Sequence, residues 1–182
     1  MILALGTGRS GTSDVARILE EQGVMMGHRF HMGDEFNPRG YFEDRDFQEL
    51  NMMYVMLGLG ENPKGDQLKL WLDRFNKLIN TRQEPWGLKD PGIADFPELL
   101  DHYMKLNPKV ILCERNREDT VASFIRMKFK GGMTREKAEH IYDNRTKNIK
   151  KALKEYLTID CYDINKEYKI ATWLKKHQKS HT

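Results

Sequence analysis

Apolar residues along this chain follow two rhythms. The unbroken runs Ile2-Leu3-Ala4-Leu5 and Val110-Ile111-Leu112-Cys113 have the continuous hydrophobicity of strands buried on both faces of a sheet. Elsewhere apolar positions recur every third or fourth residue. Val15, Ile18 and Leu19 predict a helix over residues 12–22, closed by Gly23. The same reading gives a short second strand at 24–26, a helix at 43–57, and a helix at 66–80 with Asp66 as its cap. A strand at 86–89 stops at Asp90-Pro91-Gly92, and Asp95 is placed to cap a helix running to 106. Then come a strand at 109–114, a helix at 117–129, a long helix from Thr134 towards 157, a strand at 158–162 and a basic closing helix capped by Asn165. Residues 27–41 are polar and punctuated by Gly, Asn-Pro and Arg-Gly, a loop long enough to suggest function. Strand alternating with helix predicts an α/β fold of three layers, α/β/α, around a central parallel sheet. The 182 residues suffice for one domain, 1–182.

Composition narrows the class. With 39% hydrophobic and 31% charged residues the chain is of soluble globular type, and it offers no span for a membrane. No leader precedes the first strand, so a cytoplasmic protein is expected. A net charge of +3 is too small to point to nucleic acid. The charge is unevenly spread: ten Lys or Arg face three acids between Arg126 and Lys154, which is either a solvated helix face or a wall that attracts an anion. Cys113 and Cys161, in apolar runs, are expected as buried free thiols, and two cysteines make no metal site. Met25, Met26, Met52, Met53 and Met56 are expected to fill core gaps.

The chemistry concentrates where the first strand ends. Gly6-Thr7-Gly8-Arg9-Ser10-Gly11-Thr12-Ser13 leads directly into a helix. Glycines let backbone N–H groups close around a ligand, the helix start adds unpaired N–H groups and a positive dipole end, and Thr12 and Ser13 add hydroxyls. The natural guest is a phosphate or sulfate. Three readings fit to different degrees. Gly6, Gly8 and Gly11 match the dinucleotide fingerprint, but no acid closes the second strand for a ribose. Gly6 and Gly11 match half of a nucleotide-kinase loop, but Thr12 stands in the place of the lysine. In the third reading the basic residue precedes Ser-Gly-Thr, as Arg9 does, and the loop holds a sulfuryl donor.

The strand 110–114 runs into Arg115-Asn116-Arg117-Glu118-Asp119-Thr120-Val121-Ala122-Ser123-Phe124. An Arg at a strand end with a Ser eight residues on, two turns into the next helix, resembles the second nucleotide motif of the sulfotransferase superfamily. Asn37-Pro38-Arg39-Gly40-Tyr41-Phe42-Glu43-Asp44 and Trp86-Gly87-Leu88-Lys89-Asp90-Pro91 are similar to segments of short bacterial-type members. The matched part runs from Met1 to about Phe124, and the last third matches only in outline. The resemblance implies a P-loop NTPase-like fold and 3′-phosphoadenosine 5′-phosphosulfate as co-substrate, with no metal.

On that resemblance Gly8, Arg9, Ser10, Gly11, Thr12 and Ser13 would hold the 5′-phosphosulfate, and Arg115 and Ser123 the 3′-phosphate. Arg9 and Lys89 would neutralise the leaving phosphate. The proton of the acceptor would go to Glu43 or His31, ahead of Asp90 and His28. Tyr41, Phe42 and Trp86 could line a pocket, with core packing the expected role of the last two. The acceptor would be a small molecule or a glycan carrying a hydroxyl or amine. Two other classes remain open: a P-loop nucleotide kinase or NTPase, and a non-catalytic nucleotide- or polyanion-binding module that uses the basic stretch.

Overall fold

The computed structural model describes residues 1–30, 33–35, 37, 40–60, 65–127 and 132–178. Among them, β1 (Ile2–Gly6), β2 (Gly87–Lys89), β3 (Lys109–Glu114) and β4 (Leu157–Asp160) form one parallel sheet in the order β2-β1-β3-β4. Helix α1 (Thr12–Glu21) follows β1. Helices α2 (Arg45–Met56) and α3 (Gly65–Asn80) precede β2. A 3₁₀ turn (Pro91–Asp95) and α4 (Pro97–Met104) lead to β3, α5 (Arg117–Arg126) and α6 (Arg135–Ala152) to β4, and α7 (Lys166–Gln178) closes the chain.

The alternation of the strands divides the core into two layers. Leu3 and Leu5 join Leu88 and Val110 on one face and pack against Phe47, Trp71, Leu99 and Tyr103 from α2, α3 and α4. Ile2 and Ala4 join Ile111, Cys113 and Ile159 on the other and pack against Val15, Ile18 and Leu19 of α1 and Ile170 and Leu174 of α7. This is the three-layer α/β/α arrangement that the patterning predicts. Trp86 is core: it stacks on Phe47 with ring centroids 5.8 Å apart. The indole of Trp71 is fully buried and donates its N–H to the Leu50 carbonyl at 2.9 Å, which meets the polar requirement of a buried tryptophan.

Several local expectations are corrected. The strand expected at 24–26 is only a bridge of Met25 with Trp86, because Val24 N–H is spent on the Leu19 carbonyl and His28 N–H on the Asp44 carboxylate. Asp66 lies inside the first turn of α3, not before it. Asp95 does not cap α4, since Phe96 holds that position and the Asp95 carboxylate turns towards α6. Helix α5 ends at Arg126, where Met127 becomes extended, and α6 ends at Ala152, where Leu153 does the same. Thr134 caps α6 as expected, its hydroxyl accepting from Lys137 N–H. Of the methionines, Met26 is buried, whereas Met52 and Met56 are 59% and 79% exposed and fill no core gap. Cys113 is buried and Cys161 is half-buried, in the turn after β4. Among the described residues no helix is long and apolar enough to cross a membrane.

Candidate functional site

Parallel strands deliver their C-terminal ends to one edge of the sheet, and the crevice there is where open α/β sheets bind ligands. Here that edge carries the loop after Gly6, Lys89 at the end of β2, Glu114 at the end of β3 with Arg115 after it, and Cys161-Tyr162 after β4. A cavity of about 890 Å³ opens over it, lined among others by Gly8, Arg9, Gly11, Thr12, Ser13, Lys89 and Arg115.

The loop bends by left-handed backbone at Gly8 (φ 81°), Arg9 (φ 55°) and Gly11 (φ 87°), and Gly11 is the N-cap of α1. A Cβ at Gly8 would lie 2.9 Å from Nη1 of Arg145, and one at Gly11 would lie 2.8 Å from Cβ of Cys161. The backbone conformation favours glycine at both, and at Gly11 the space does too, because Cβ of Cys161 cannot swing away as the end of an arginine can. Thr12 is buried in the first turn of α1, and Ser13 donates its hydroxyl to the Tyr41 carbonyl at 3.3 Å. Ser10 is turned under the loop: its side chain is buried, its Oγ has no hydrogen-bond partner among the described residues, and it lies against Gly6.

Arg9 is half-buried, and burial lowers its pKa, helped by the charge of Arg115. Its Nε donates to Ser123 Oγ at 3.0 Å, and its carbonyl accepts from Nη1 of Arg115 at 3.1 Å. Loop and second motif therefore meet through Arg9: Ser123 grips its side chain and Arg115 its backbone. The other two donors of Arg115, Nε and Nη2, reach the Tyr162 hydroxyl at 3.1 and 2.8 Å, and that hydroxyl donates to Asp119 at 3.1 Å.

Lys89 is buried at the strand end. Its ammonium donates to the Tyr41 carbonyl at 2.9 Å and pairs with Glu43 at 2.5 Å. The other oxygen of Glu43 accepts from Gln48 Nε2 at 2.6 Å. Asp90 is buried: one oxygen accepts from Asn51 at 3.0 Å and the other from Gly92 N–H at 2.9 Å. Burial, with the nearby charge of Glu43, raises its pKa. With one oxygen held by Asn51 and the other by Gly92, Asp90 shapes the turn after β2. Burial and its bond to Asp34 push the Tyr41 hydroxyl up to about 12, so at neutral pH it is a donor. His28 is exposed and His31 lies outside the described residues.

Sequence reasoning misses Arg145. In the sequence it is one more cation of the basic stretch, yet its guanidinium turns inward from α6. Nε and Nη2 grip the Asp95 carboxylate at 2.7 and 2.6 Å, and Nη1 donates to the Thr7 carbonyl at 2.9 Å. No spacing in the sequence separates this residue from its solvent-facing neighbours. Arg135, by contrast, lies on the surface and pairs with Glu118 and Glu139.

No family model and no curated protein matches the chain. Solved structures do. A sulfotransferase domain from the curacin biosynthetic pathway is 16% identical, with TM-score 0.55, over 96% of this chain and 71% of that one. The sulfotransferase domain of the Synechococcus PCC 7002 olefin synthase is 20% identical, with TM-score 0.56, over 96% and 70%. Shikimate kinase from Aquifex aeolicus is 12% identical, with TM-score 0.53, over 98% and 96%. The fold is the α/β P-loop NTPase-like one. Within it the loop Gly6–Ser13 stands where such folds turn from the first strand into the first helix. Among the described residues no group of three or more His, Cys, Asp or Glu is placed to hold a metal ion.

Proposed function

We propose that this chain is a sulfotransferase that moves a sulfuryl group from 3′-phosphoadenosine 5′-phosphosulfate to a hydroxyl or amine acceptor. The observation that carries the reading is the meeting of Arg9 with Ser123 and Arg115, residues 114 and 106 positions away, on a loop whose lysine position is held by Thr12. The glycine cradle fits a tetrahedral oxyanion, and cations ring it: Arg9, Lys89 and Arg115 all line the cavity. In the reaction the bond from sulfur to the donor phosphate breaks and a bond from sulfur to the acceptor forms. Negative charge gathers on the leaving phosphate, where Arg9, Lys89 and the N–H groups opening α1 would stabilise it. The acceptor's proton would pass to the Glu43 carboxylate, which lines the cavity and is held by Lys89 and Gln48. Two of the similar structures are sulfotransferase domains, which agrees with this reading.

A kinase is the second reading. Its support is the shikimate kinase, which this chain matches over almost its full length, whereas it spans about 70% of the sulfotransferase domains. Calorimetric titration separates the two. We expect 3′-phosphoadenosine 5′-phosphate to bind in preference to 5′-AMP, ATP–Mg²⁺ and NAD. Arg115→Ala should weaken it by about 10- to 100-fold, the worth of a charge-assisted hydrogen bond to phosphate. Preference for ATP–Mg²⁺, or indifference to Arg115, would overturn the sulfotransferase reading. Salt-sensitive binding of any polyanion without turnover would return the chain to a binding module.

A further inference from the structure

Helix α2 carries apolar residues on two sides. Phe47, Leu50 and Tyr54 face the core. Met52, Val55 and Met56 face outward, 59%, 39% and 79% exposed. Scattered exposed apolar residues are ordinary, but these are neighbours at helical spacing and form one stripe. The stripe borders a shallow cavity of about 730 Å³ that includes Gln48, Met52, Met53 and Met56. Gln48 and Met52 also line the cavity over the glycine loop. The two spaces therefore adjoin along Gln48 and Met52, and Gln48 also holds Glu43: its Nε2 donates to the Glu43 carboxylate at 2.6 Å. One end of the path is polar and carries the carboxylate and Lys89. The other runs about 12 Å along the helix from Gln48 to Met56, at the rise of an α-helix, and is apolar.

We propose that this path is the acceptor site and that the acceptor is an alcohol on an alkyl chain, its hydroxyl at Glu43 and its chain along Met52 and Met56. The inference rests on the sulfotransferase reading for the reaction, and on the side-by-side placement of the two cavities, which share Gln48 and Met52, for the chain. Methionine suits the task, because a flexible, polarizable side chain covers an alkyl group without fixing one shape. The polar residues of this cavity, Arg45, Gln48 and Glu49, lie at its end near Glu43, and Met52, Met53, Met56 and Leu57 line the rest, which suits an alkyl chain better than a glycan; a protein partner covering the stripe would leave small alcohols indifferent to it.

The test uses the full chain with ¹³C-methyl-labelled methionine, titrated with primary alcohols from butanol to octanol, with and without saturating 3′-phosphoadenosine 5′-phosphate. The Met52 and Met56 methyl resonances should shift. Affinity should rise about two- to fourfold per added methylene, the upper figure being full burial of a CH₂. Met56→Glu should cancel most of the gain from butanol to octanol and leave binding of the bisphosphate unchanged. Equal affinity for butanol and octanol, or methyl shifts confined to other methionines, would overturn the proposal while leaving the donor reading intact. Chain-length dependence at Met52 and Met56 without binding of the bisphosphate would keep the apolar site and remove the sulfotransferase.

Discussion

Replacing Arg145 with Met tests whether the interior arginine of α6 braces the glycine loop. The variant keeps an unbranched apolar stem in place of the inner part of the side chain and removes three hydrogen bonds, two to Asp95 and one to the Thr7 carbonyl. The side chains of Arg145 and Asp95 are 14% and 32% exposed, so solvent screens part of the ion pair, and the pair belongs at the low end of the range for charged hydrogen bonds. The Thr7 carbonyl, on a residue only 8% exposed, loses a donor outright. Together these should cost about 2–4 kcal/mol. For a chain of this size that lowers Tm by about 5–12 °C in differential scanning calorimetry. Arg145→Lys, which keeps the charge but can make only part of the fork, should recover less than half of the loss. Combining Arg145→Met with Asp95→Asn should cost less than the sum of the single changes, by about 1 kcal/mol or more. A Tm for Arg145→Met within about 1 °C of wild type, or strict additivity in the cycle, would refute the brace.

Glu43→Gln should leave binding of 3′-phosphoadenosine 5′-phosphate intact and lower turnover by about 100-fold or more, read by labelled sulfate transfer, because a proton acceptor is removed while the bond to Gln48 can persist. Equal loss of binding and turnover would make Glu43 structural. The pKa of Asp90 is raised by burial, so the folded chain keeps this proton after the unfolded chain has lost it. Its contribution to stability is therefore greatest below the ordinary carboxylate range and is lost as pH rises through the folded value. Asp90→Asn should flatten the fall in urea-unfolding stability between pH 4 and pH 8, relative to wild type, by about 1.4 kcal/mol for every tenfold by which folding tightens the hold on this proton. Parallel curves would contradict this. Burial pushes the Cys113 thiol up to about 12 and raises Cys161 less. A thiol reagent at pH 8 should therefore label Cys161 in the native protein and Cys113 only after unfolding.

The strands are legible in the sequence because burial on both faces writes an unbroken apolar run, as in Ile2–Leu5 and Val110–Cys113. The loop is legible because its chemistry is local: glycines, an arginine and hydroxyls lie within eight neighbouring positions. Pairings across the chain are not. That Ser123 meets the Arg9 side chain, that Arg115 reaches the Arg9 carbonyl and that Arg145 reaches Thr7 depend on the order of the strands, to which no single segment testifies. Met52 and Met56 mislead for a related reason. Periodicity places Phe47, Leu50 and Tyr54 on one side of α2, but an apolar residue off that side looks like core until the neighbouring elements are in place. Asp95 resembles a helix cap because the sequence offers an acid before an apolar run, and a partner from α6 outcompetes the cap.

The tight packing around Gly8 and Gly11 bears on how such a protein can diversify. The space above each glycine is filled from a different distant part of the chain, by Arg145 from α6 and by Cys161 from the turn after β4. A larger residue at Gly11 would need a compensating change at Cys161, far along the chain, and one at Gly8 would have to push the tip of Arg145 aside, so single-step drift is disfavoured at both. The positions between and beside them, Arg9, Thr12 and Ser13, border the cavity and already carry side chains in that space. Selection for a new anion, or a designer's library, would find its accessible variation there, with the two glycines inherited unchanged by every descendant that keeps Arg145 and Cys161 where they are.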